Sequence, residues 1–430
     1  MSIETHPSIR TTPLILVALM ATSLFINYVD RGNLATGAAL IRADLHLSAT
    51  AYGVLAAGFY FAYAFCQLPA GALSDRFGGK LVLGIGALLW SASTFLTGFV
   101  ESFFGLFVLR MMLGMGESVA FTTTSKIIAS NVPRGQMGLA NGVIGFGYLV
   151  GPAAGTLIGG FLMALWGWRA TFILFGAVSL LWLVPWSRVR ISEIKPAEAA
   201  KQDMVNLRQI LSRRALWGAS LGHFAGNWNW YFILGYLPMY LEMQRGYSMS
   251  QMATVVSSAY LVNALAALLA GWAFDKAIQR GWSPSLTLKL PLAAAHVAGL
   301  LCMLAMPFMS ITACIALLFI YEMFLGFSSP AYFMIPQIMA GPSAAARWVG
   351  VQNMMGNMPG IIGVLFAGVL IDAGGGSYGT AFLLAGSINV LGLIGWIGIL
   401  PKVEPIAWGT SEAIQSTLPG LLIAVETTRE

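Results

Sequence analysis

The sequence carries very little charge. Only 9% of its 430 residues are Asp, Glu, Lys or Arg, whereas an ordinary soluble protein carries about 25%. Hydrophobic residues make up 57% of the chain. This composition excludes a soluble globular protein and indicates an integral membrane protein.

Cysteine is scarce as well, and the usual catalytic motifs are missing. The three cysteines (Cys66, Cys302 and Cys314) fall in apolar runs and show neither a disulfide framework nor metal-ligand spacing. There is no His-Glu-x-x-His motif and no phosphate-binding glycine-rich loop followed by Lys-Ser/Thr. We therefore expect no enzyme activity, no metal and no cofactor, and we expect any uphill work to draw on an ion gradient.

Long apolar runs dominate what is present. Runs of about 20 residues are long enough to cross a bilayer as helices. They lie near 13–36, 50–73, 80–100, 103–126, 138–163, 168–187, 215–240, 252–275, 287–308, 312–337, 346–371 and 378–400. The sequence predicts an all-α membrane protein with twelve transmembrane helices.

A charged linker divides these runs into two groups of six. The predicted domains are an N-terminal bundle (1–187), a cytoplasmic linker (188–214), a C-terminal bundle (215–400) and a cytoplasmic tail (401–430). The net charge of +6 comes from basic residues concentrated in connections on the N-terminal side of the membrane. The positive-inside rule makes that side cytoplasmic, so the charge is a topology signal and does not indicate nucleic acid.

The first apolar run contains charges of its own. Asp30 and Arg31 lie in its second half, and a charge at the bilayer centre costs roughly 2.5–3.5 kcal/mol on insertion scales. With Asn27 they recur at three- and four-residue spacing, which gives this helix one polar face. Such a face turns to the interior of a bundle.

The fourth run carries matching charges. Arg110 and Glu117 are two helical turns apart and share a face, with Gly114 between them where a ligand or another helix can approach closely. Spans 1 and 4 run in opposite directions. We therefore expect Asp30, Arg31 and Arg110 at similar depth in the extracellular half of the membrane, with Glu117 deeper.

These four residues have a functional interpretation and a structural one. In the functional one, the two arginines hold an anionic substrate through their planar guanidinium forks, and the two carboxylates carry protons. A carboxylate in a low-dielectric site has a raised proton affinity, which suits that task. In the structural one, Asp30 pairs with Arg110 and Glu117 with Arg31 to hold the bundle together.

Other polar residues inside the spans are weaker candidates. Tyr63 would either line the cavity or lie at the lipid interface. Asn353 and Asn357 would either line the cavity or form hydrogen bonds between helices, and the following Pro359 suggests a helix that can break there. Glu322 shows no obvious partner, and we expect Lys126 to extend to the cytoplasmic face. The remaining candidates for the C-terminal half of a cavity are His223, Asn227 and Asn229.

The two halves also echo one another. Gly71-Ala-Leu-Ser-Asp75-Arg76-Phe-Gly78-Gly-Lys80 follows the second span, and Gly271-Trp-Ala-Phe-Asp275-Lys276 follows the eighth, the equivalent place in the second half. Two six-span halves with a repeated loop indicate an internally duplicated transporter with its site at the repeat interface.

The sequence resembles the major facilitator superfamily. The segment 71–80 is similar to its loop signature, Gly-x-x-x-Asp-Arg-x-Gly-x-Lys. More narrowly, the chain resembles the anion:cation symporter family. The similar segments are Asn27-Tyr-Val-Asp30-Arg31, Arg110-x-x-x-Gly114-x-x-Glu117, Gly167-Trp-Arg-Ala-Thr-Phe172, Tyr236-Leu-Pro-Met-Tyr-Leu241 and Gly356-Asn357. That family includes bacterial sugar-acid, tartrate and phthalate permeases and the animal sialin and vesicular glutamate carriers.

The resemblance implies roles for the matching positions. Asp30 and Glu117 resemble the proton-coupling carboxylates, and Arg31 and Arg110 the gating and substrate-binding arginines. Tyr63 and Asn357 match cavity positions, and Gly71–Lys80 would stabilise one of two conformational states. The chain departs from many sugar-acid permeases at Ser328–Phe333 and at Pro359, so an organic anion in general is better founded than a sugar acid.

The prediction is a monomeric, proton-coupled symporter that imports an organic carboxylate across a bacterial inner membrane by alternating access. Three alternatives stay open: an organic-anion uniporter or exchanger, a proton-coupled drug exporter, and an intramembrane enzyme. An exporter would prefer cations and would not need two cavity arginines. An exchanger would not need both carboxylates, and the two-half symmetry argues against an enzyme.

Overall fold

The computed structural model describes residues 13–47, 49–192 and 205–408, and these form helices with no strand among them. Twelve helical legs, numbered here as spans 1 to 12, make up the fold. They are Pro13–Thr36, Ala49–Phe77, Gly79–Thr97, Phe103–Asn131, the two legs of Met137–Leu181, Arg214–Met239, Met249–Gln279, Pro284–Ala305, the two legs of Ile311–Ala373, and Gly379–Leu393.

Two of these helices are each broken by one glycine in a conformation that L side chains rarely adopt. Gly167 has φ 78° inside Met137–Leu181, and Gly341 has φ 64° inside Ile311–Ala373. Glycine takes positive φ without a steric penalty, so the chain turns at these points with hardly any loop. The turns separate spans 5 and 6 and spans 10 and 11, where the sequence placed the corresponding boundaries.

Nine of the described helices are long and apolar enough to cross a membrane. Two of them hold two legs each, which gives eleven passes. Span 7, Arg214–Met239, is the twelfth, and it carries His223, Asn227 and Asn229. The prediction of an all-α protein with twelve spans is confirmed.

The linker and the tail are described only in part. Leu207–Leu211 forms a short helix whose start is capped reciprocally by the side chains of Asn206 and Gln209. Residues 1–12, 193–204 and 409–430 lie outside the described residues. The predicted domain limits, including the cytoplasmic tail at 401–430, stay a prediction.

The ends of the linker mark one end of the molecule, called the linker end below. There Lys80 Nζ donates to the carbonyl oxygens of Ser187 (3.0 Å) and Val189 (2.5 Å), and Arg347 donates to that of Val205 (2.5 Å). The basic loop residue Lys80 therefore anchors the chain where span 6 leaves the bundle.

The apolar core that the halves share is most extensive toward the linker end, and a small cluster of Leu149, Ala264 and Ala267 joins spans 5 and 8 nearer their middle. One cluster of buried side chains runs through both halves and includes Leu16, Ile128, Trp186, Phe274 and Trp348. Toward the other end the core splits: one cluster, around Leu34 and Phe172, belongs to the N-terminal half, and another, around Phe232 and Phe382, to the C-terminal half. The halves are thus closed against each other at the linker end.

The repeated loops form this closure in a two-fold manner. A Cβ on Gly71 would lie 2.7 Å from the carbonyl oxygen of Ala346 in span 11, and Asp75 forms an ion pair with Arg347 (2.8 Å). In the second half, Gly271 packs even more closely on the backbone of Gly138 in span 5. Each loop of one half therefore meets a helix start of the other half.

Asp275 makes the second of these contacts. Its carboxylate accepts hydrogen bonds from the backbone N–H groups of Gly138 (2.8 Å) and Leu139 (2.7 Å), at the start of span 5. The first N–H groups of a helix have no partner within the helix and carry partial positive charge. A carboxylate placed there satisfies two of them and joins the halves.

The remaining signature residues act within the N-terminal half. Gly78 adopts φ 89° between spans 2 and 3, a conformation that favours glycine. The Arg76 guanidinium lies 5.2 Å from the ring centroid of Phe77. The side chain of Lys126 reaches this loop at the linker end, where its ammonium group donates to Ser74 O (2.7 Å) and to Asp75 Oδ1 (3.1 Å); that this end is the cytoplasmic one stays a prediction.

We predict that Asp275→Asn weakens closure at the linker end. Asn keeps the size of the side chain but removes its charge, which costs about 1.5 kcal/mol, or roughly tenfold in the closed-to-open equilibrium. The measurement is the distance distribution between spin labels at positions 134 and 280 in a cysteine-free background. The variant should gain a long-distance population.

The matched control is Glu101→Gln, an exposed carboxylate in the connection between spans 3 and 4. It should leave the distribution unchanged. An Asp275→Asn distribution equal to that of the control would contradict a closing role for this carboxylate.

Candidate functional site

A buried ion pair lies at the centre of the N-terminal half. Arg31 of span 1 donates to Glu117 Oε2 of span 4 through Nη2 (2.8 Å) and Nε (3.1 Å). The side chain of Glu117 is fully buried and that of Arg31 is 10% exposed. Arg31 Nη2 also reaches Asn27 Oδ1 at 3.3 Å, one turn earlier on the same helix. The polar face predicted for span 1 is thus turned inward.

Aromatic rings surround the Arg31 guanidinium. Its Cζ lies 4.3 Å from the ring centroid of Tyr28, 4.4 Å from that of Tyr63 and 5.1 Å from that of Phe59. Ring faces attract cations, most strongly where water is excluded. They stabilise the Arg31 charge without taking up its hydrogen-bond donors, which are directed to Glu117 and Asn27.

The other two charges of this half do not pair with each other. Asp30 Oδ2 accepts a hydrogen bond from Ser179 Oγ of span 6 (3.1 Å), and Asp30 Oδ1 has no protein partner. Arg110 lies 4.8 Å from the ring centroid of Phe59, and its Nε has no partner either. Of the two pairs in the structural interpretation, the described residues form Arg31–Glu117 and not Asp30–Arg110.

Close helix contacts hold the pair in place. A Cβ on Gly114 would lie 2.6 Å from Phe59 O in span 2, and one on Gly155 would lie 2.9 Å from Val29 Cα in span 1. Small residues permit this approach, as predicted for Gly114. Spans 1, 2, 4 and 5 therefore enclose the guanidinium tightly.

A cavity of about 70 Å³ lies beside the pair, between the two halves. Four of the predicted substrate-binding residues line it: Tyr63, His223, Asn353 and Asn357. Arg31 is not among the lining residues, but its Cζ lies 4.3 and 4.4 Å from the ring centroids of Tyr28 and Tyr63, which line the cavity. Arg110 is not among the lining residues.

The C-terminal half presents neutral polar groups to this cavity. Tyr231 OH donates to Asn357 Oδ1 (2.6 Å), and Asn357 Nδ2 donates to Asn353 O (2.7 Å). His223 packs against Tyr332, with ring centroids 4.9 Å apart. Span 11 stays helical through Pro359, so the suggested break does not occur in this conformation.

The cavity is closed toward the linker end by contacts between the halves. Phe121 of span 4 stacks on Phe333 of span 10, with ring centroids 4.9 Å apart and planes 8° from parallel. Farther toward the linker end, the amides of Asn141 and Gln337 exchange two hydrogen bonds (2.7 and 3.0 Å). The exchange forms a polar lock between spans 5 and 10.

Sequence reasoning missed several lining residues, among them Tyr28, Tyr148, Tyr231 and Asn263. The available signal, a tyrosine or asparagine inside an apolar run, is weak because a lipid-interface side chain gives the same pattern. Asn227 and Asn229 are both candidates for lining the C-terminal half of the cavity, and the structure distinguishes them. Asn227 lines the cavity, whereas Asn229 donates to Asn389 (3.0 Å) within the C-terminal half.

Two six-span halves around a central polar cavity with a buried ion pair define a membrane transporter. The chain matches the family described as Major Facilitator Superfamily over residues 20–363, and it belongs to that superfamily. The predicted fold and family are confirmed, and the family is one of transporters and not of enzymes.

Curated relatives narrow the resemblance. The chain is 28% identical over 412 residues to a probable sulfoacetate transporter of Cupriavidus necator (91% of this chain, 95% of the relative). It is 27% identical to a hexuronate transporter of Bacillus subtilis (92% and 95%) and 25% identical to a probable galactarate/D-glucarate transporter of Escherichia coli (93% and 97%). The inferred likeness to organic-anion carriers is confirmed.

Solved structures share the fold. The proton:xylose symporter XylE bound to 6-bromo-6-deoxy-D-glucose has a TM-score of 0.73 at 15% identity (93% of this chain, 97% of that chain). FucP in its outward conformation also has a TM-score of 0.73 at 15% identity (89% and 98%). At this identity the likeness concerns the fold alone.

We predict strong energetic coupling between Arg31 and Glu117. Removing one partner leaves a buried charge uncompensated, so Arg31→Gln and Glu117→Gln should each lower the apparent unfolding temperature. The double variant should lose less stability than the sum of the two single losses, because it leaves no charge unpaired. The expected coupling is about 2 kcal/mol, read from thermal unfolding of the four proteins in detergent.

The exposed pair Arg169–Asp44 (2.9 Å, 35% and 46% exposed) is the control. Its cycle, Arg169→Gln with Asp44→Asn, should give less than about 1 kcal/mol. Equal coupling in the two cycles would show that the buried pair is not a special contact.

Proposed function

We propose that this protein is a proton-coupled symporter that imports an organic carboxylate by alternating access. The observation that carries the proposal is the Arg31–Glu117 ion pair, buried beside the central cavity. A buried guanidinium needs a negative partner at all times, and here that partner is a group that can take up a proton.

Coupling follows from competition for Arg31. While Glu117 is ionised, its carboxylate occupies the donors of the guanidinium. Protonation of Glu117 removes that charge, and a substrate carboxylate then becomes the better bidentate partner. Proton and anion would therefore bind together, which is the requirement for symport.

Arg110 and Asp30 extend this arrangement. Arg110 is 4% exposed and makes no ion pair with any described carboxylate, so it offers a second positive charge to an anion. Asp30, 1% exposed and held by Ser179, would serve as the second proton carrier. Both assignments rest on burial without a counter-charge.

The substrate class rests on the charge of the site and on the relatives. Two buried arginines select an anion and disfavour the cations expected of a drug exporter. Sulfoacetate, hexuronate, galactarate and glucarate, named for the relatives, all carry a carboxylate. His223, Asn353 and Asn357 would bind the uncharged part of the substrate, and Tyr63 would close over it.

Orientation and import direction complete the proposal. The basic residues at the linker end favour a cytoplasmic location for that end and for both termini, in the inner membrane of a bacterium. The halves are closed there, so this conformation would face outward. The monomer would then rock about the site, with the signature Gly71–Lys80 and its repeat at Asp275 stabilising the outward-facing state.

Uptake of a labelled carboxylate panel into proteoliposomes tests the proposal. The panel covers sugar acids, dicarboxylates and aromatic acids, each with and without an inward proton gradient. Accumulation of one class only with the gradient is the expected result. Equilibration regardless of the gradient would indicate an anion uniporter or exchanger, and uptake of organic cations an exporter.

We predict that Glu117→Gln separates binding from coupling. Gln resembles the protonated side chain, so Arg31 stays free for the substrate and exchange of labelled for unlabelled anion should continue. Accumulation driven by a pH gradient should fall at least tenfold, toward simple equilibration.

Exchange and accumulation are measured in the same vesicles. Glu101→Gln, an exposed carboxylate outside the site, should retain both. Full gradient-driven accumulation by Glu117→Gln would overturn its role as a proton carrier.

A further inference from the structure

A second buried glutamate lies in the C-terminal half, outside the ion pair described above. Glu322 in span 10 has 0% exposed surface. Asn263 Nδ2 of span 8 donates to its Oε2 at 2.5 Å, and its Oε1 has no protein partner. Among the described residues, no Lys, Arg or His side chain forms an ion pair with it.

The groups around Glu322 are uncharged. Tyr260 of span 8 and Tyr321 on its own helix are the titratable side chains that face it. From span 9, His296 is turned to Asn389 (3.0 Å) and Cys302 lies beside Tyr321. No charged side chain of the other described spans interacts with the carboxyl group.

An ionised carboxylate in such surroundings is expensive. A buried charge without a counter-ion costs several kcal/mol, and a carboxyl group avoids that cost by keeping its proton. The nitrogen and oxygen of an amide are interchangeable assignments. A protonated Glu322 can therefore donate its O–H to Asn263 Oδ1, an atom that otherwise has no protein partner.

Glu322 is also next to the cavity. Leu325 and Ser329, one and two helical turns along the same face of span 10, line the cavity, and so does Asn263. The carboxyl group thus lies one layer behind the cavity wall, with Asn263 between it and the space where an anion would sit.

We propose that Glu322 and Asn263 form a proton-binding site of the C-terminal half, loaded while the halves are closed at the linker end. When that end opens, water reaches the site, Glu322 releases its proton as the hydronium ion and the carboxylate is hydrated. The site closes again without this proton and takes up a new one from the opposite side of the membrane, once the linker end is shut. That this proton travels with an anion rests on the function proposed above.

The protonation state is tested first, by a measurement that needs no substrate. Infrared spectra of the full-length protein in lipid vesicles show the C=O stretch of protonated carboxyl groups. Glu322→Gln should lose one component of this band at neutral pH, Glu322→Asp should keep a shifted one, and Glu101→Gln should match the unaltered protein. An unchanged band in Glu322→Gln would overturn the proposal.

The second measurement counts protons. With a pH difference of one unit and no membrane potential, each coupled proton contributes about a tenfold factor to anion accumulation. Glu322→Gln should therefore accumulate about tenfold less than the unaltered protein and still respond to the gradient, and Glu322→Asp should restore the loss. Exchange without a gradient should be kept by both variants.

The two measurements separate the possible failures. Loss of the infrared component with unchanged accumulation would make Glu322 a permanently protonated structural group and overturn its role as a carrier. Accumulation that requires Na⁺ and not a pH gradient would make the site a cation site. If the unaltered protein moves anions without protons, the function proposed above fails, whatever the infrared result.

Discussion

The free-energy cost of a charge inside a membrane constrains this structure more than any other interaction. Arg31 bears a permanent charge, so every arrangement of the protein must supply it with partners. In this conformation Glu117, Asn27 and a ring of aromatic faces do so. The glycines of spans 4 and 5 serve the same end, because side chains there would push the helices apart and admit water to the pair. A change of partner at Arg31 thus requires a change elsewhere, either of a proton or of a ligand.

The two halves divide the chemistry between them. The N-terminal half holds the ion pair and the two unpaired charges, whereas the C-terminal half lines the cavity with amides, hydroxyls and rings. Its polar side chains already bond to one another, as Tyr231 with Asn357 and Asn229 with Asn389. Such networks fix side-chain orientation in an apolar medium. Glu322 departs from this division, since it is an ionisable carboxyl group with which no described Lys, Arg or His side chain forms an ion pair.

The sequence predicted the fold and the charged part of the site for the same physical reason. Apolar runs have a fixed length because the bilayer has a fixed thickness. Charges inside them face the interior of the helix bundle, because facing the lipid would cost more. Helical spacing then places Asp30, Arg31, Arg110 and Glu117 toward one another. Whether two such charges touch depends on fractions of a turn, which explains why one predicted pair forms and the other does not.

The neutral part of the site could not be predicted in this way. Asn227 and Asn229 are two residues apart, yet one lines the cavity and the other bonds to Asn389 in span 12. An amide in an apolar run is equally compatible with facing the cavity and with bonding to another helix until the packing of the helices is known. Lys126 shows the same limit for a long side chain: its place late in span 4 predicted an approach to the end of the bundle, but not that the Asp75 carboxylate would be its partner there.

The closure at the linker end combines apolar packing with polar contacts that can be reversed. Beyond the shared apolar core, the halves meet there through polar contacts: the Asp75–Arg347 pair, the Asp275 carboxylate on two backbone N–H groups, and the Asn141–Gln337 amides. Each of these groups can exchange its partner for water at a net cost of only about 1 kcal/mol per ordinary hydrogen bond. An interface made of apolar side chains alone would expose its surface to water on opening and would hold the halves shut. Polar closure would keep a closed and an open conformation close in free energy, as the proposed alternating access requires.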